Sequence, residues 1–92
     1  MSSQVIDNSA ESRYELHLDG QSAGFAVYQL TDGAVVFTHT EIDPAVGGKG
    51  HGGTLVRGAL DDVRGRGLSV VPACPFVKSY IAKHPEYEDL LK

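Results

Sequence analysis

An α/β (α+β) domain with element order βββ-α-β-α and a mostly antiparallel sheet is predicted by three observations. Residues 13–42 read as three strands in an antiparallel meander, separated by the short turn sequences Asp19-Gly20 and Thr31-Asp32-Gly33. After Asp43-Pro44 the apolar period lengthens to that of a helix. Between the two regimes lies Val46-Gly47-Gly48-Lys49-Gly50-His51-Gly52-Gly53, which holds five of the eleven glycines. Ninety-two residues support one modest core, assigned to residues 13–92. Residues 1–12 are polar and aperiodic and read as a flexible tail.

Each element has its own signal. Arg13 to Leu18 alternates as a strand with Tyr14, Leu16 and Leu18 on one face, and Asp19-Gly20 is a turn. Ala23 to Leu30 is a second strand, with Phe25 and Val27 opposite Ala26 and Tyr28. Thr31-Asp32-Gly33 turns the chain into a third strand, Ala34 to Ile42, rich in Val, Phe and Thr. Leu55, Val56, Ala59, Leu60 and Val63 then recur at helical spacing, and Gly67 suits that helix's end. Leu68 to Val71 is a short apolar strand expected to be covered on both faces and ended by Pro72. Pro75 opens a second helix to about Lys83, with Phe76, Val77, Tyr80 and Ile81 as its apolar stripe. His84-Pro85 breaks it, and Glu86 to Leu91 forms a last turn.

Composition narrows the function. A net charge of −4, with eight scattered Lys and Arg residues, argues against a nucleic-acid partner. No apolar stretch approaches membrane-spanning length, and no charged segment followed by an apolar run begins the chain. A single cysteine, Cys74, excludes an internal disulfide and a multi-cysteine metal centre, and a reducing cytoplasmic setting is expected. No metal is expected, since His39 and Glu41 have no evident third ligand.

A glycine loop that opens a helix presents free N–H groups backed by the positive helix pole, which is an anion site suited to phosphate or diphosphate. Lys49 is the only cation within the loop. The P-loop pattern fails because Gly50, not Ser or Thr, follows Lys49. The dinucleotide pattern matches at Gly48, Gly50 and Gly53. However, the next strand ends in Val71-Pro72-Ala73-Cys74, without the acid that would hold a ribose.

Gly48-Lys49-Gly50-His51-Gly52, after a strand ending Thr38-His39-Thr40-Glu41, resembles the loop of the GCN5-related N-acetyltransferases. Cys74-Pro75-Phe76-Val77 and His84-Pro85-Glu86-Tyr87 resemble the small single-domain members more closely, and the resemblance runs from about Arg13 to Leu91. One position departs: Gly47 stands where the motif usually has Arg or Gln, with Lys49 and His51 as the nearby side chains that would compensate. The resemblance implies a minimal acetyltransferase-like fold without the first strand, first two helices and last strands of full-length members, and so a small, open acceptor site. It implies acetyl-CoA as co-substrate, with pantetheine beside Glu41-Ile42. Gly47, Gly48, Lys49, Gly50, His51, Gly52 and Gly53 would hold the pyrophosphate.

By the same resemblance, Glu41 is the base in acetyl transfer to a primary amine of a small molecule or protein. His39, two residues away on the same strand face, is a proton relay or a structural histidine. Cys74 precedes a helix, a position that lowers a thiol pKa, and either accepts or positions the acetyl group or is a buried inert thiol. Tyr80 is either the acid for the leaving thiolate or plain core. The alternative function is a non-catalytic CoA- or acyl-CoA-binding module or interaction protein, and a homodimer is one way for so small a domain to complete its site.

Overall fold

The computed structural model describes residues 3–46 and 50–91. Five strands form one sheet in sequential order: β1 (Ser3–Asn8), β2 (Arg13–Leu18), β3 (Gln21–Thr31), β4 (Ala34–Ile42) and β5 (Ser69–Pro72). The first four are antiparallel neighbours, and β5 returns parallel to β4. That parallel step needs a crossover, which helix α1 (His51–Gly65) supplies. Helix α2 (Pro75–Lys83) and a 3-10 segment (Pro85–Leu90) follow. The α+β, mostly antiparallel architecture read from the sequence is present, with one strand added at the front.

That added strand corrects the expectation of a flexible tail. Residues Ser3–Asn8 pair in register with Leu18–Arg13. Inward-facing Val5 packs on the core beside Gly58 of α1. The next inward position is Asp7, whose carboxylate accepts the Tyr28 hydroxyl at 2.6 Å and pairs with Arg66 at 2.7 Å. Arg66 also reaches Asp62, which accepts the Tyr14 hydroxyl at 2.6 Å. A charged residue thus faces inward because a polar network receives it, so the strand lacks an apolar stripe.

Both helices pack on the sheet face that carries Tyr14, Leu16, Tyr28 and Phe37. There Leu55, Val56, Ala59, Leu60 and Val63 of α1 join Val77 and Ile81 of α2 in one core. The rings of Tyr14, Tyr28 and Phe37 lie 5.3 to 6.4 Å apart in tilted and edge-on contacts. The opposite face carries Arg13, Glu15, His17, Phe25, Val27, His39 and Glu41, and neither helix covers it. Consequently β5 is not covered on both faces as expected: Val70 is buried, but Val71 is only half-buried. Phe76 also leaves the expected apolar stripe and is exposed, whereas Val77 and Ile81 of α2 are buried in the core and Tyr80 packs against it.

Register in β4 determines which side chains face which way. Tyr28 pairs with Phe37, but Val27 pairs with His39, so Thr38 is an extra, bulged residue. The bulge reverses the alternation. Beyond it, Thr40 and Ile42 lie on the helix side, opposite Ala26 and Gly24, while His39 and Glu41 share the open face with Val27 and Phe25.

Candidate active site

Where β4 and β5 part, an unpaired strand edge appears. Their pairing runs only from Ala34–Ser69 to Phe37–Pro72. Pro72 has no N–H to extend the ladder. The Cys74 N–H donates to the Phe37 carbonyl at 2.8 Å, and the chain then turns away into α2. His39 to Ile42 therefore continue with a β3 partner on one edge and none from β5 on the other.

The N-terminus of α1 lies beyond the end of this edge. The helix starts at His51, so Gly52 and Gly53, expected in the loop, form its first turn instead. Gly50 precedes it with φ +78, a left-handed conformation that glycine adopts without strain, and its carbonyl accepts the Thr54 N–H. The N–H groups of a first turn have no intrahelical acceptor, so those of His51, Gly52 and Gly53 point out of the helix end. The absence of a side chain at Gly52 also makes room for α2: a Cβ there would lie 2.5 Å from the Phe76 ring, whereas one on Gly53 would make ordinary contact with the Tyr80 ring at 3.5 Å. The expected contacts of Gly47, Gly48 and Lys49 lie outside the described residues.

Two pairs of candidate side chains flank the strand edge on opposite faces. On the helix side, the buried Cys74 Sγ is 3.4 Å from Thr40 Oγ1. As a thiol it donates to that oxygen; as a thiolate it accepts the Thr40 hydroxyl. Burial pushes the thiol pKa up. The Thr40 hydroxyl and the N–H groups of Val77, Phe76 and Thr40 outweigh that effect, leaving it below the ordinary value. On the open side, His39 Nε2 is 3.4 Å from Glu41 Oε1, and both side chains are nearly 60% exposed, at 58% and 59%. Phe25 lies beside His39 with ring centroids 6.4 Å apart.

Tyr80 joins neither pair. Its half-buried ring stacks on His84 at 3.9 Å, and the His84 Nδ1–H donates to the Tyr80 carbonyl at 2.9 Å. Burial is the main influence on the Tyr80 phenol and raises its pKa, so the proton is firmly held. Ile42 is half-buried at the end of the β4 edge. Thr40 was missed by sequence reasoning, although a polar residue alternating with Phe37-side positions on an apolar strand is the signal that could have found it. Among the described residues, no three His, Cys, Asp or Glu side chains gather as a metal site. No helix among them is long and apolar enough to cross a membrane.

A mixed sheet split beside a glycine-started helix defines an acyltransferase-type α+β domain. The chain belongs to the GCN5-related N-acetyltransferase family, whose model matches residues 13–90. No curated protein sequence matches it significantly. Among solved structures, it is similar to a GCN5-like protein from Staphylococcus aureus determined by NMR. The TM-score is 0.73 at 20% identity, over 97% of this chain and 87% of that one. It is also similar to the ribosomal-protein-S18-alanine N-acetyltransferase of Escherichia coli. That match has a TM-score of 0.63 at 20% identity, over 96% of this chain and 54% of the other. A third similarity is to N-acetylglutamate synthase from Neisseria gonorrhoeae, solved with coenzyme A and N-acetyl-glutamate. Its TM-score is 0.62 at 16% identity, over 90% of this chain and 23% of that one. At these identities the likeness is one of fold, and the chain spans only about half and a quarter of the last two proteins.

Proposed function

We propose that this chain moves the acetyl group of acetyl-CoA to a primary amine. The unpaired edge of β4, running toward the glycine-started end of α1, carries the reading. Its backbone N–H and C=O groups beside Glu41 and Ile42 suit the amide-bearing pantetheine arm, which would add to the sheet as a strand does. The outward N–H groups of His51, Gly52 and Gly53 suit a diphosphate, reinforced by the helix dipole. Gly47, Gly48, Gly50 and Lys49 complete that site in the proposal. The solved complex of the Neisseria synthase with coenzyme A supports the same cofactor.

When bound, acetyl-CoA supplies a thioester carbonyl for the amine to attack. Glu41, exposed on the open face, removes the amine proton through a water, and His39 beside it passes the proton to solvent. Cys74, positioned by Thr40, lies on the helix side of the same edge and orients or accepts the acetyl group. Tyr80 keeps its proton at neutral pH and donates it to the departing sulfur.

Calorimetric titration with CoA, followed by amine acetylation with labelled acetyl-CoA, tests the reading. Binding, transfer and a loss of about 100-fold or more in kcat for Glu41→Gln are expected, the scale of general-base catalysis. Failure to bind CoA overturns it. CoA binding without transfer to any amine replaces it with a CoA-binding module. Intact mass separates the chemical routes: protein label that disappears in Cys74→Ala marks passage through the thiol, whereas an unlabelled but active protein marks direct transfer.

A further inference from the structure

A pocket of about 350 Å³ lies between the start of β3 and the end of β4, away from both helices. Its wall combines two carboxylates, Glu41 and Asp43, with the Phe25 ring and the apolar surfaces of Ile42 and Pro44. Among the described residues, no Lys or Arg lines it. The Arg13 guanidinium lies 4.9 Å over Phe25 and bonds Glu15, and the His39 ring lies beside Glu41. Asp43 accepts the Ala45 N–H through Oδ1 among the described residues, and a carboxylate has a second oxygen to offer.

Strand geometry sets the spacing of the two acids. The Asp43 N–H still bonds the Ala23 carbonyl, so the chain is extended from Glu41 to Asp43. Two extended residues span about 7 Å. On the helix side of the same pair, the absence of a Gly24 side chain lets β3 and β4 lie close: a Cβ there would lie 2.6 Å from Ile42 Cδ1 and 2.7 Å from the Glu41 carbonyl oxygen. The result is an apolar trough with an acid toward each end, one of them the base of the proposed reaction.

We infer that this pocket binds the acceptor as a straight aliphatic amine of about four carbons, a length that matches about 7 Å of strand. The reacting nitrogen lies at Glu41, the chain lies against Phe25, and the far donor end lies at Asp43. The chemistry is shared by free diamines and by lysine side chains, whose far end carries peptide N–H groups. This inference rests on the acetyltransferase reading, and it places the acceptor on the open face, opposite Cys74.

The test is binding without acetyl-CoA. Nitrogen-15-labelled protein is titrated with 1,4-diaminobutane, Nα-acetyl-lysine methylamide and, as the uncharged control, 1,4-butanediol. Both amines should shift backbone amides within residues 22–25 and 41–43, and the diol should not. Asp43→Asn should raise Kd about two- to fivefold, the size of an exposed ion pair. Phe25→Leu should raise it as well while leaving distant amide signals in place. Tighter binding of the diamine assigns a free small molecule, and tighter binding of the lysine derivative assigns a protein side chain. Absence of shifts at these residues with both amines, or an unchanged Kd in both variants, overturns the inference. A parallel titration with acetyl-CoA distinguishes the two levels. Shifts at His51 to Gly53 without amine shifts retain the acetyltransferase reading alone, and amine shifts without them retain the pocket alone.

Discussion

Gly58→Ala tests the docking of β1 on α1. Within a helix, alanine should stabilise by about 0.8–1 kcal/mol over glycine. Here its Cβ would meet Val5 Cγ2 at 2.6 Å and Val5 Cβ at 2.7 Å. Ordinary carbon contacts are about 3.5–4.0 Å, so β1 must retreat by roughly 1 Å. Val5 cannot rotate away, because it is β-branched and its Cβ is fixed to the backbone. Overpacking of this kind destabilises by about 1–3 kcal/mol, leaving a net loss of about 1 kcal/mol. For a domain of this size, that lowers Tm by about 4–8 °C. In a Val5→Gly background the clash disappears, and the same substitution should stabilise by about 0.9 kcal/mol. Urea denaturation of the four proteins measures this sign reversal. Equal stabilisation by Gly58→Ala in both backgrounds would refute the reasoning and return residues 3–8 to a tail.

Other perturbations probe different contacts. Tyr87→Phe removes the hydroxyl that donates to Asp61 at 2.7 Å and ties the C-terminal segment to α1; thermal melts should show a loss of about 1 kcal/mol. Glu15 is held at a pKa of about 2, against 4.5 ordinarily, by hydrogen bonds from His17 first, then Asn8 and Arg13. Its contribution is complete above pH 4.5 and fades as pH falls toward 2, so wild type should lose stability in that window more steeply than Glu15→Gln. Parallel curves for the two proteins would contradict that assignment. Thr40→Val removes the hydroxyl that favours the Cys74 thiolate, so the pH midpoint of Cys74 alkylation should rise, and Thr40→Ser should restore it. An unchanged midpoint in Thr40→Val would exclude the role.

Much of this fold is written in hydrophobic period. Strand 13–18 and helix α1 carry clear apolar stripes, strands 21–31 and 34–42 carry apolar and β-branched runs between turn sequences, and α2 follows Pro75. Strand β1 has no such stripe, because inward Asp7 is satisfied by Tyr28 and Arg66 from elements distant in sequence. The helix start was read too late because His51-Gly52-Gly53 is a poor helix-forming run, stabilised locally by the Gly50 turn and by contact with Phe76. At the candidate site, the identities of His39, Glu41 and Cys74 were legible, as was the shared face of the first two. Their separation across the sheet was not, since it depends on Thr38. Val35 and Phe37 face the core, so unbroken alternation would have buried His39 and Glu41 too. Polar residues on that phase were the available sign that the strand contains a bulge.

The bulge makes the register of β4 as important as its composition. Pairing Thr38 with Val27 would slip every later residue by one position and turn it over. Glu41 would then project among the core residues, and Thr40 would move away from Cys74 to the open side. Deleting Thr38, in contrast, would leave Val27 opposite His39 and Phe25 opposite Glu41, as they are now. A one-residue slip, with every residue retained, would thus interchange the two sides of the strand edge.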